Sequence, residues 1–393
     1  MHPVAFLAGI FCVLGVFVDA FQTIILPRRP VRGFRITRFF FIATWGTWSA
    51  KAERIRNPKA REQFYSIYGP LSLFLLLVLW AMLLVFGFSL FFYGLGSPFT
   101  DVMGIHTAHG LSQYLTDLYV SGTTLFTLGL GDVVPHSLSA RSLIIFESGV
   151  GLGFVALVIG YLPVIYQAFS RREVSIVLLD ARAGSPPTAA ELLRRHSFEG
   201  GEAALTELLA EWERWAADIL ESHISYPILC YYRSQHDNES WLAALTAILD
   251  TCALLISVIE GAPSRQAQLT FLMARHAVID LGQVFMVQNR PIWKLQESKD
   301  RLPAAQFDRL CGMLGEMHLK LCRDDGSARR LHTIRALYEQ HAGALSDYLG
   351  MPLPPWVPEL KEKDQWRMLN KLRSETEEVS SRTAAYLTQN HDD

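Results

Sequence analysis

The residue types and spacings with a chemical use concentrate in one short run, residues 123–135, which reads TTLFTLGLGDVVP. It is rich in threonine and ends in a Gly-X-Gly-Asp turn. Glycine takes positive φ without a Cβ clash, so alternating Gly129 and Gly131 let successive carbonyls point the same way. A column of such carbonyls can replace the hydration shell of a cation. Other candidate groups are weaker. His106 and His109 are three apart but have no third ligand, and two histidines do not make a metal site. His223, His236 and Asp237 lack metal spacing. The five cysteines (Cys12, Cys230, Cys252, Cys311, Cys322) form no CxxC pair and read as buried small residues in a reducing compartment. No nucleophile–base pair, metal cluster or phosphate loop supports an enzyme.

The run sits between two apolar segments, residues 71–93 and 142–169, each long enough to cross a bilayer. In this setting it resembles the signature of the potassium-channel superfamily, commonly Thr-Thr-Val-Gly-Tyr-Gly-Asp between an outer and an inner helix. Thr127 sits at the family's last filter threonine, and Thr124 at the earlier threonine of the pore helix. Gly129 and Gly131 match the two glycines, and Asp132 the acid after them. Leu128 replaces valine, and Leu130 stands where the family usually carries tyrosine or phenylalanine.

The resemblance covers about residues 70–170. It implies ion sites formed by the carbonyls of Thr127, Leu128, Gly129 and Leu130, with Gly131 closing the filter and the Thr127 hydroxyl contributing. It implies Asp132 holding the outer mouth, permeant K+ with no cofactor and no resident metal, and assembly as a homotetramer.

The elements that must position this run are helical. The chain has 393 residues, is 50% hydrophobic and 19% charged, and carries net charge −2, so charge gives no case for nucleic acid. Its apolar residues crowd the first 170 positions. Residues 3–26 form a first membrane segment containing Asp19, an acid expected to face protein or to pair with a nearby arginine. A basic stretch follows, with Arg28, Arg29, Arg32, Arg35, Arg38, Lys51, Arg54, Arg56, Lys59 and Arg61. The positive-inside rule then puts the N-terminus outside and residues 28–69 in the cytoplasm. The arginines at every third position suit an interfacial segment against anionic headgroups better than a voltage sensor, because Pro30 and Gly33 interrupt them. Residues 39–48 read as an interfacial helix with Phe40, Phe41 and Trp45 at headgroup level.

An outer helix is expected over 70–94, a pore loop over 110–136 with its helix at 111–126, and an inner helix over 141–169. Gly149, Gly151, Gly153, Gly160 and Pro163 are candidate bending points for a gate, or sites of close packing. Glu147, an acid within the inner helix, is expected to brace the back of the filter or to line the pore. Residues 174–179 read equally as a strand or as more of the inner helix.

A turn at 184–187 starts a helix with Ser185 as its cap. Helices follow over 203–220, 241–259, 266–287, 304–321, 327–349 and 360–387, giving an all-α cytosolic domain over 171–393 below an all-α membrane region. Trp212, Trp215, Tyr226, Tyr231, Tyr232 and Trp241 read as its core. The expected function is a gated, potassium-selective channel in the cell membrane. The other class is a pore-fold membrane protein that acts as a sensor or scaffold without conducting. Expected partners are K+, the lipid bilayer and further copies of the chain; a ligand of the helical domain is unspecified.

Overall fold

The computed structural model describes residues 2–26, 35–101, 111–235, 239–289, 300–317, 319–322 and 325–357. Arg28, Arg29, Arg32, His106, His109, His236, Asp237 and the expected helix 360–387 lie outside them. Three helices are long and apolar enough to cross a membrane: Pro3–Ile25, Pro58–Gly94 and Leu138–Ala183. The chain is an all-α membrane protein with a helical remainder. It divides into two units, Met1–Arg172 with Asp218–Ser234 and Asp280–Leu295, and Glu173–Ala217 with Gln235–Ile279 and Gln296–Asp393.

In the first unit, α1 (Pro3–Ala20) ends in a π-helical turn, Phe21–Ile25. It packs antiparallel on α3 (Pro58–Gly94). His2 N donates to Gly94 O at 2.9 Å, and Cys12 Sγ lies 3.4 Å from Leu83 O. Gly9 lets the backbones touch, since a Cβ there would fall 2.7 Å from Gly87 O. Apolar side chains gain little from one another inside lipid, so such small-residue contacts carry much of the packing between membrane helices. α3 begins at Pro58, capped by the Asn57 side chain. It is 37 residues long and continues through Pro70, beyond the expected span of 70–94.

Asp19 ties three elements together. Its Oδ2 accepts from Trp80 Nε1 of α3 (2.9 Å) and from both Thr37 N (3.0 Å) and Thr37 Oγ1 (2.6 Å) at the start of α2 (Ile36–Ala52). Arg35 Nε stands 3.9 Å from Asp19 Oδ1. The acid therefore faces protein, beside an arginine and the positive end of a helix. α2 is longer than the expected ten or so residues, and two of its aromatics are not at headgroup level. Phe41 and Trp45 are buried, with Trp45 against Tyr68 (4.7 Å) and Tyr231 (4.9 Å) and Phe41 stacked on Tyr231 (5.5 Å). Aromatics gather there because α2, α3 and the 3-10 turn Pro227–Tyr231 each offer a ring face.

α4 (Leu111–Leu125) lies against α3, and α5 runs without a break over Leu138–Ala183. Between them β1 (Phe99–Asp101) and β2 (Val133–Pro135) pair antiparallel, a ribbon the apolar periodicity did not signal. α5 absorbs the expected inner helix 141–169 and settles residues 174–179 as helix. Near its end Arg172 is buried and donates to Leu229 O and Tyr232 O, both at 2.9 Å.

The second unit is built round α8 (Trp241–Ser257), buried on nearly every face. An apolar stripe that encircles a helix needs neighbours on all sides. α6 (Ala189–Arg195), α11 (Asp325–Ala336) and α12 (Glu339–Leu349) supply them. α7 (Gly201–Ser225), α9 (Ser264–Asn289) and α10 (Ala304–Glu316) complete the helices. The expected cap Ser185 is displaced: α5 continues to Ala183, and Thr188, after the two prolines, caps α6 by accepting from Glu191 N at 3.3 Å. The expected helix 327–349 is two helices, broken at Leu337 and Tyr338. Tyr338 is buried, and its hydroxyl donates to Asp250 at 2.5 Å. Arg301 pairs with the same carboxylate at 2.6 Å. Trp212, Trp215, Tyr231 and Trp241 are buried, while Tyr226 and Tyr232 are half-buried.

Candidate functional site

The loop after α4 is shaped by backbone before side chain. φ is positive at Thr127 (+56°), Gly129 (+56°) and Gly131 (+76°), and not at Leu128 or Leu130. Alternation between left- and right-handed backbone turns successive carbonyls toward one side. Glycine accepts this freely. Threonine does not: a β-branched residue at positive φ is an outlier, and holding it there costs about 1–3 kcal/mol.

What holds it is the end of α4. Thr127 N donates to Thr124 O (2.9 Å), and Leu128 N to Thr123 O (2.7 Å). The last carbonyls of a helix have no partner within it, so they are available to catch the loop. Thr123 had no assigned role in the sequence, and its use as an acceptor leaves no side-chain signal.

Leu128 and Leu130 are 62% and 63% exposed, and Thr127, Gly129, Gly131 and Asp132 are exposed as well. A Cβ at Gly129 or Gly131 would meet nothing within 4 Å, so backbone conformation, not space, is what restricts those positions. Asp132 Oδ2 accepts from Tyr119 Oη at 2.7 Å, and its Oδ1 accepts from Val133 N at 3.1 Å. Tyr119 lies on α4 and anchors the acid. An aromatic hydroxyl thirteen residues before an acid is not a pattern that periodicity isolates.

Behind the loop, α5 touches α4 at two points. Glu147 is fully buried and its Oε1 lies 2.5 Å from Ser121 Oγ, which also lies 2.9 Å from Val85 O of α3. The acid braces the helix that carries the loop. One turn further along both helices, Gly151 meets the Leu125 carbonyl so closely that a Cβ would sit 1.9 Å from it. For Gly151 the choice between bending point and close packing falls to packing. Gly149, Gly153 and Gly160 have no atom within 4 Å of such a Cβ, and Pro163 is an exposed residue inside unbroken α5. Asp117, counted in the sequence with the acid-leaning outer segment, is buried on α4 and accepts from Ser97 Oγ at 2.5 Å. Among the described residues no three His, Cys, Asp or Glu are grouped to hold a metal.

The model of a family described as an ion channel matches residues 75–167, from within α3 through α4 and the loop to α5. No curated protein and no solved structure matches the chain. The loop and the helices round it therefore lie in an ion-channel domain of a membrane protein.

Proposed function

We propose that the ion-channel domain is a gated, potassium-selective pore made by four copies of the chain, with Thr127, Leu128, Gly129, Leu130 and Gly131 lining the ion path. The observation that carries this reading is the left-handed backbone at alternate residues 127, 129 and 131. It aims peptide oxygens in one direction, as a dehydrated cation requires. One chain supplies one wall of such a path. The exposure of Leu128 and Leu130 in a single chain fits a closed ring of identical subunits. The C-terminal end of α4 directs partial negative charge toward the same axis. Asp132, held by Tyr119, adds cation-attracting charge at the mouth, and Glu147 steadies α4 from behind.

Gly149, Gly153, Gly160 and Pro163 on α5 are the positions at which this helix bends to open. Residues 1–27 cross the membrane with the N-terminus outside. Residues 28–69 and the helical domain 171–393 lie in the cytoplasm, as the basic stretch requires. The pore module spans 70–170. It needs no cofactor beyond the permeant ion.

The test is rescue of K+-uptake-deficient cells by the intact gene, followed by reversal potentials of the purified protein in mixed K+/Na+. Rescue by the native chain and its loss in Gly129→Ala and Gly131→Asp are expected. Full rescue by both variants, or a reversal potential indifferent to the K+ gradient, overturns the proposal.

A further inference from the structure

A polar cavity and an apolar groove meet at the π-helical turn Phe21–Ile25. The cavity, about 60 Å³, is lined by Gln22, Thr23, Arg35, Arg38, Tyr161 and Ser225 among others. The groove, about 550 Å³, is lined by apolar residues only, including Phe21, Ile25, Leu84, Gly153 and Leu157. The turn separates them, with Gln22 and Thr23 on the cavity side and Phe21 and Ile25 on the groove side. π-helical turns often mark functional sites. α5 also serves both, because Leu157 and Tyr161 are one turn apart on the same face.

The cavity has the chemistry of a phosphate site. Its volume is about twice the ~30 Å³ share of a water molecule. Arg35 Nη2 donates to Thr23 Oγ1 at 2.9 Å, while its buried Nε has no hydrogen-bond partner. Asp19, 3.9 Å from that Nε, offsets one of the two guanidinium charges, so Arg38 leaves the site cationic. Arginine's planar fork suits phosphate oxygens. A ligand that fills both spaces must carry an anionic head and a hydrocarbon tail.

We propose that one anionic phospholipid binds each chain here, its phosphate beside Arg35 and Arg38 and an acyl chain in the groove along α5. The bound lipid touches α5 from Gly153 to Tyr161, beside Gly160 and Pro163, so occupancy favours one shape of that helix. This second step rests on the channel reading; the binding itself does not.

Native mass spectrometry of the full-length protein, extracted from vesicles of equal parts phosphatidylcholine and phosphatidylglycerol, tests the binding. Preferential retention of phosphatidylglycerol is expected. It should fall about fivefold in Arg38→Gln, the weight of one cation near an anionic headgroup, and recover in Arg38→Lys. It should also fall in Leu157→Trp, which fills the groove, and resist displacement by inorganic phosphate. Equal retention of both lipids, or no change in either variant, overturns the proposal. So does displacement by phosphate alone, which assigns the cavity to a free anion. A Leu157→Trp chain that changes assembly but not lipid retention assigns the groove to a second copy, and also overturns it. Ion flux in vesicles of phosphatidylcholine alone against the mixture reads the second step. Flux absent in both lipids, with binding intact, counts against the channel and not against the lipid site.

Discussion

Gly151 of α5 and Leu125 of α4 meet so closely that any side chain at 151 would overlap a carbonyl oxygen: a Cβ would sit 1.9 Å from Leu125 O. Residue 125 is the last of α4, and the loop of candidate ion ligands begins right after it. The contact thus fixes where that loop starts relative to α5. Glu147 and Ser121 repeat it one turn earlier, so the two helices run parallel here and are joined at two successive turns.

Gly151→Ala should therefore be severe. The neighbour is backbone, which cannot rotate away, and overpacking of this kind costs about 1–3 kcal/mol. Gly149→Ala and Gly153→Ala meet open space and should melt at or above the native temperature, since alanine is the better helix former by about 1 kcal/mol. Thermal melts of the purified proteins decide it. Equal melting temperatures for all three would show that α5 does not press on α4 as described.

Tyr119→Phe removes one hydrogen bond, to Asp132, and leaves the ring. The pair is exposed, so stability should change by no more than about 1 kcal/mol. Function should suffer more, because Asp132 then loses the contact that orients it. Under the proposed K+-conducting reading, currents are expected to persist but to decline during sustained opening, as the loop loosens. Steady currents identical to the native ones would remove Tyr119 from the supporting set.

The membrane helices and the loop were legible because both leave marks in residue type: long apolar runs, and glycine at alternate positions. What the sequence left open was settled by tertiary contact. Trp45 and Phe41 looked like interfacial anchors, yet Tyr231, nearly two hundred positions later, covers them. No local pattern encodes that partner. Thr123 acts through its carbonyl, which every residue has. The Ser185 cap was misplaced because α5 outlasts its apolar stretch, ending where Gly184 adopts φ +77°. Glu147 was flagged by being an acid in an apolar helix, but only its contact with Ser121 separates brace from pore lining.

Asp19→Leu should destabilise by about 3–5 kcal/mol, the cost of breaking a buried pair and leaving one charge behind. Trp80, Thr37 N and Thr37 Oγ1 would lose their acceptor and Arg35 its counter-charge. Asp19→Asn keeps an acceptor oxygen for Trp80 and Thr37 and should cost less. The ordering Leu worse than Asn, read from thermal aggregation of detergent-solubilised protein, is the expected result. The reverse ordering would mean the carboxylate's charge, not its hydrogen bonds, is what the site needs.

His223 gives the fold a dependence on pH. Burial, and then the Arg172 guanidinium 3.2 Å from its Nε2, hold its pKa well below the ordinary histidine value. A guanidinium can only donate, so Nε2 accepts and the ring stays neutral with its proton on Nδ1. In the unfolded chain the same ring titrates near its usual value of about 6.5. Below that value the unfolded state binds a proton that the folded state refuses. Stability should thus fall as pH drops below about 6.5, by up to about 1.4 kcal/mol per unit. Above that range the residue contributes no slope. His223→Gln, whose side-chain oxygen can still accept from Arg172, should remove this part of the acid sensitivity while keeping the contact. Melting curves of both proteins at pH values on either side of about 6.5 measure the difference. The assignment fails if the two slopes coincide, because the protons responsible would then bind elsewhere.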